Sequence, residues 1–206
     1  MAPVPSTKVL ERIWHWVEKL SRIAVWVGGA LMIASVFLIC IDVVTRKFFE
    51  LSTNGSNELS GYAFAISTSW ALGFTMLQRV NVRVDVLYRL LPVRVTALLD
   101  WLAVVVMGIF VGYLSYYGVQ VAQTSWVRDA AANTTLGTPL WIPQSLWAVG
   151  LLWMSVVLVL MLIRASVALV TGNIPLVKTL AGQRSSEEEA KEEAEAGERL
   201  VKGDAA

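Results

Sequence analysis

Charged side chains are missing from four long stretches of the chain: Ile23–Ile41, Leu59–Gln78, Trp101–Val127 and Ala130–Ile163, of 19, 20, 27 and 34 residues. At about 1.5 Å of rise per residue, a helix of about 20 residues crosses a ~30 Å hydrocarbon core. The pattern predicts four membrane-spanning helices, over residues 23–44, 58–78, 95–126 and 144–168. Ahead of them, Val9, Leu10, Ile13, Trp14, Val17 and Leu20 recur at helical spacing, with Lys8, Arg12 and Lys19 largely elsewhere around the helix. Residues 1–22 therefore read as an amphipathic helix lying in the interface, although the same apolar face would suit a partner subunit. The fold class is all-α, an integral membrane four-helix bundle over residues 23–172, preceded by that leader.

The joints between the spans carry turn and breaker residues. Ser52-Thr53-Asn54-Gly55-Ser56-Asn57 supplies cap candidates for the second span. Pro92 suits the start of the third, because a proline there gives up an N–H that would be unbonded anyway. No proline interrupts Pro92–Val127, and a continuous helix of that length would reach ~54 Å. Whether Gly118 breaks it is open. Pro139 and Pro143 restart the chain toward the fourth span.

Charge orients this frame. Lys and Arg crowd the segment before the first span (Lys8, Arg12, Lys19, Arg22), the middle loop (Arg79, Arg83, Arg89, Arg94) and the stretch after the fourth span (Arg164, Lys178, Arg184). The other two loops hold only Arg46, Lys47 and Arg128. The positive-inside rule then predicts cytoplasmic N- and C-termini. Trp14, Trp16, Trp26 and Trp101 fall near the inner boundary and Trp126, Trp141 and Trp147 near the outer one, where an apolar ring with one N–H donor is favoured. Trp70 and Trp153 fall mid-span as packing residues. Residues 173–206 form a tail whose end, from Ser185, is rich in Glu and Ala and has no aromatic residue. Such a composition reads as a solvated extension, partly helical or disordered.

The candidate chemistry is sparse. Gly61, Ala65, Ser69 and Gly73 recur every four residues along the second span and form a ridge of small side chains for close helix approach, within this chain or against a partner. Asp42, Glu58 and Asp100 stand at span ends, not at mid-depth, and Asp42 can pair with Arg46 if the helix runs that far. One histidine (His15) and one cysteine (Cys40) supply no metal cluster, triad or disulfide, and no phosphate-binding loop is present. The reading is of a non-enzyme with no cofactor and no metal. The basic middle loop lies between two spans, which favours lipid headgroups over nucleic acid.

Several of these residues together resemble the small, Q-type (DctQ-like) membrane subunit of tripartite ATP-independent periplasmic (TRAP) transporters. The likeness covers roughly Ile23 to Gly172. It rests on Val44-Thr45-Arg46-Lys47-Phe48-Phe49, then Glu58, then Val82-Arg83-Val84-Asp85-Val86-Leu87, Leu91-Pro92 and Thr138-Pro139-Leu140-Trp141-Ile142-Pro143-Gln144. Lys47 stands where the family usually has an aromatic residue and Asn81 where it commonly has histidine. The resemblance makes Arg46, Arg83, Asp85, Pro92, Pro139 and Pro143 family-motif residues.

In such systems a soluble periplasmic protein captures the substrate, usually an organic acid anion, and a large sodium-coupled elevator subunit moves it. The resemblance implies a non-catalytic subunit in a bacterial inner membrane that braces the large subunit and helps dock the binding protein. Its expected partners are the large TRAP membrane subunit, the periplasmic substrate-binding protein and the lipid bilayer. The small ridge would serve packing, and Glu58, Trp141 and Gln144 the docking face. Two rival readings stand beside it: an autonomous four-span proton-coupled exporter and a generic tetraspan adaptor.

Overall fold

A computed structural model describes residues 6–49, 55–79 and 91–181, together with positions 194 and 197. Arg83 and Asp85, the middle loop around them and nearly all of the acidic tail lie outside the described residues. Among the described residues all regular structure is helical: α1 (Ser6–Phe49), α2 (Ser56–Leu77), α3 (Val93–Val127), α4 (Trp141–Val170) and the short α5 (Ile174–Ala181). Three of them, α1, α3 and α4, are long and apolar enough to cross a membrane. α2 has the length, 22 residues, but seven Ser, Thr and Asn side chains, two glycines and Glu58 dilute its hydropathy.

α1 passes without a break through residues 22 and 23, where the sequence suggested that a leader gives way to a span. No proline or glycine stands between Ser6 and Val27 to stop it, and one helix of 44 residues results. α3 is likewise unbroken over 35 residues. Gly118 does not interrupt it; the glycine is buried against Trp147 and Leu151, and a Cβ there would lie 3.2 Å from the Trp147 ring. Pro92 sits one position before α3, as its N-cap.

Two reversals finish the long helices in the same way. After α3, Asp129 takes a left-handed conformation (φ 47°) and the Ala130 N–H reaches back to the Ser125 carbonyl. After α4, Gly172 does so (φ 70°), with Asn173 bonded to Ala168. This pairing satisfies carbonyls that a helix end leaves open. The second reversal folds α5 back on α3 and α4, where Val177 is fully buried with Ala97 and Ala168. Ile174–Ala181, grouped with the solvated tail on sequence grounds, is thus a docked helix.

The helices pack in the order α1, α2, α4, α3, so α1 and α3 form the two edges. α2 is held on two sides. On one, Gly28 of α1 lies against the Ser67 backbone, with room for a Cβ only 3.2 Å from its carbonyl oxygen. On the other, Gly150 of α4 lies against Ser69 and Trp70, and Gly73 lies under Trp153. The main core, which includes Met76, Val104, Met154, Val157, Leu158 and Met161, fills the space among α2, α3 and α4, and Val17 of α1 closes it.

Candidate functional site: the Glu58 face

Polar residues gather where α1 ends, α2 and α4 begin, and α3 ends. Asp42 is almost fully buried, yet its carboxylate accepts a 2.6 Å hydrogen bond from Arg46 and a 2.9 Å one from the Ser56 hydroxyl. A buried charge is tolerated only with such partners. The Arg46 pair forms because α1 continues helically to Phe49, which brings positions four apart onto one face. The bond to Ser56 ties the end of α1 to the first residue of α2.

Glu58 stands in the first turn of α2, where the helix dipole favours a negative charge. Its carboxylate accepts hydrogen bonds from Tyr62 (2.8 Å), Thr134 and Thr138. Thr134 and Thr138 come from the segment joining α3 to α4, which is a small closed hairpin. Ala131 bridges Pro139, the Ala132 N–H bonds to Thr138, and the Leu140 N–H bonds to Ala130. Leu136 of this hairpin sits over Gly55, the N-cap of α2, and a side chain at Gly55 would collide with it. At the hairpin's base Trp126 and Trp141 meet edge to face, ring centroids 4.5 Å apart.

Glu58 and Trp141 are therefore two attachment points of one connected surface: Glu58 binds the hairpin tip and Trp141 braces its base. Pro139 lies in the hairpin bridge, and Pro143 is buried in the first turn of α4, where its missing N–H goes unneeded. Gln144 is half-buried just below, and its side-chain Oε1 is buried without a hydrogen-bond partner.

The small ridge divides along its length. Ser69 and Gly73 are buried where α2 meets α4, whereas Gly61 is exposed with open space beside it and Ala65 is half-buried. One further set of residues was not legible from sequence. Three tryptophan N–H groups cross between helices: Trp70 to the Leu146 carbonyl (2.9 Å), Trp101 to the Ser166 hydroxyl (2.8 Å) and Trp153 to the Ser21 hydroxyl (2.9 Å). The guanidinium of Arg164 also lies 4.6 Å over the Trp14 ring. Interfacial placement accounts for the tryptophan count in sequence; the partners of the indoles depend on helix register. Among the described residues no group of three or more His, Cys, Asp or Glu side chains could hold a metal ion.

Residues 35–168 match the family described as tripartite ATP-independent periplasmic transporters, DctQ component. The chain belongs to the DctQ family. It is the small permease component of a TRAP transporter, a transport protein of the membrane and not a member of an enzyme family. No curated relative and no solved structure matches the chain. The DctQ match includes the Glu58 face with its hairpin and the crossing of α2 with α4, and stops short of α5.

Proposed function

We propose that this DctQ component braces the large sodium-coupled membrane subunit and offers the Glu58 face to a periplasmic substrate-binding protein, in uptake of an organic acid anion. All four long helices cross a bacterial inner membrane, with both termini in the cytoplasm. The distribution of Lys and Arg supports that orientation, since of the fourteen that precede Ser185 only Arg46, Lys47 and Arg128 fall at the Glu58 end.

The observation that carries the docking part is the hairpin pinned to Glu58. A loop that folds on itself and on the α2 N-terminus presents a preformed surface, which limits the ordering cost of binding. The bracing part rests on the edges of the row. α1 shows Ile33, Val36, Phe37 and Phe48 outward, and α3 shows Val106, Ile109 and Phe110, so two apolar flanks remain for lipid or a large subunit.

Co-expression with a cognate large subunit tests the proposal. The two proteins should co-purify in mild detergent, and the complex should bind the binding protein more weakly with Glu58→Lys while staying assembled. Failure to co-purify would refute the bracing role, and unchanged binding with Glu58→Lys the docking role. The purified chain reconstituted alone is expected to give no substrate flux; flux would favour an autonomous exporter.

A further inference from the structure

We propose that the cleft between α1 and α4 is a binding site for one anionic phospholipid, with an acyl chain in the cleft and the headgroup phosphate at Lys19. This goes beyond the bracing role and does not depend on it; it needs only that these helices lie in a bilayer. Where α1 and α4 diverge around α2, they leave an apolar cleft of about 390 Å3. Trp70, Gly150 and Trp153 form its floor, and Ala24 and Val27 stand on the α1 side. It runs on into a second hollow of about 430 Å3, bounded by Ile13, Trp16 and Lys19 and sharing Leu20, Ile23 and Trp153 with the first.

Length and charge point to the same occupant. From Lys19 to Val27 the cleft follows α1 for ~12 Å at 1.5 Å per residue, most of the ~15 Å that one leaflet contributes to the hydrocarbon core. The floor is fixed in advance, because two of its indoles are hydrogen-bonded elsewhere, Trp70 to Leu146 and Trp153 to Ser21. Gly150 keeps it deep: any larger residue would displace α2.

Midway along the second hollow, Lys19 lays its apolar stem on the wall and carries its charge at the exposed rim. The Lys19 ammonium stands 5.7 Å over the Trp16 ring, and both side chains are exposed. The nearest acidic neighbour in sequence, Glu18, is taken up by Arg22 at 3.5 Å. Lys19 is thus left to meet a phosphate at the level where its long stem can reach the headgroups.

The test is native mass spectrometry of the full-length chain released from nanodiscs of mixed phosphatidylglycerol and phosphatidylethanolamine. The parent protein should retain one phosphatidylglycerol. Lys19→Gln should lower that retention at least threefold while leaving phosphatidylethanolamine unchanged, and Ala24→Trp should expel both. Val36→Trp, on the face of α1 turned away from the cleft, should retain lipid as the parent does. Helical content and a single elution peak check that each variant is folded. Should Ala24→Trp fail that check, Lys19→Glu replaces it, with a still larger loss of phosphatidylglycerol expected. No retained lipid, or equal phosphatidylglycerol with Lys19→Gln, overturns the proposal. So does loss of a co-expressed large subunit on Ala24→Trp with no lipid on the parent complex, which would assign the cleft to a partner helix.

Discussion

Replacing Gly150 by alanine tests the packing at the centre of the protein. A Cβ at that position would fall 2.5 Å from the Ser69 hydroxyl oxygen, 2.7 Å from the Trp70 ring and 2.8 Å from the Ser69 carbonyl carbon. The hydroxyl and the ring can turn aside, but the carbonyl carbon is backbone, so α2 and α4 must move apart. That movement loosens the Trp70–Leu146 hydrogen bond and the seat of Gly73 under Trp153. Overpacking of this kind costs about 1–3 kcal/mol. The opposing gain from alanine's helix propensity is at most ~1 kcal/mol, and smaller still where helices persist in detergent after tertiary structure is lost. With a conversion of roughly 2–4 °C per kcal/mol for chains of this size, a net loss near 1–2 kcal/mol lowers Tm by about 2–8 °C. Intrinsic fluorescence of the nine tryptophans reads the transition, in one detergent with one scan rate. Gly112→Ala on α3 is the control, because a Cβ there meets nothing within 4 Å; its Tm should equal or exceed the parent's. If Gly150→Ala melts at or above the parent, the close α2–α4 contact is wrong.

Three further outcomes follow from the geometry. Arg46→Ala strips the almost fully buried Asp42 carboxylate of its 2.6 Å partner, so it should cost more than an exposed pair would, on the order of 1–3 kcal/mol. Asp42→Ala also severs the link to Ser56 and should likewise lower Tm; an unchanged Tm with Arg46→Ala would contradict the buried placement of Asp42. Glu58→Gln should speed hydrogen–deuterium exchange in residues 130–140, and unchanged protection there would mean that the hairpin holds without its carboxylate. A double-mutant cycle of Trp101→Phe with Ser166→Ala should give a coupling near ~0.6 kcal/mol, typical of interhelical hydrogen bonds in membranes. A coupling indistinguishable from zero would remove that bond from the account.

The long helices were readable because each uncharged run is at least about as long as a bilayer is thick, a constraint that acts locally along the chain, although only α1, α3 and α4 are apolar enough to cross a membrane. The Asp42–Arg46 pair was readable for the same reason, since it spans one helical turn. Features that depend on contacts distant in sequence were not. Glu58 could be marked as a helix-terminal carboxylate, but nothing near it announces that Thr134, 76 residues away, closes on it. The end of the leader was misleading for a different reason. Glu18, Lys19 and Arg22 look like a boundary by charge, yet no residue there is a helix breaker, and α1 runs straight through. α5 was hidden by its neighbours: a short apolar segment followed by a charged tail looks like part of that tail until Val177 is seen buried between α3 and α4.

The contrast between α2 and its neighbours links fold to role. α2 is the one long helix among the described residues without a stretch apolar enough to cross a membrane, and like α4 it is held between two others, by α1 at Gly28 and by α4 at Gly150. Its serines answer partly to protein: Ser69 bonds back to the Ile66 carbonyl, and Ser67 lies buried under α1. A helix with that many hydroxyls gains little from facing lipid and much from backbone-close neighbours. The apolar surface is displaced to the edges, and α1 is the extreme case, with most of its length exposed. The two inner helices, α2 and α4, therefore set the spacing of the row, the outer helices remain free for lipid or a larger subunit, and the hairpin, which leads into α4 and is fastened to the N-terminus of α2, is anchored on both inner helices.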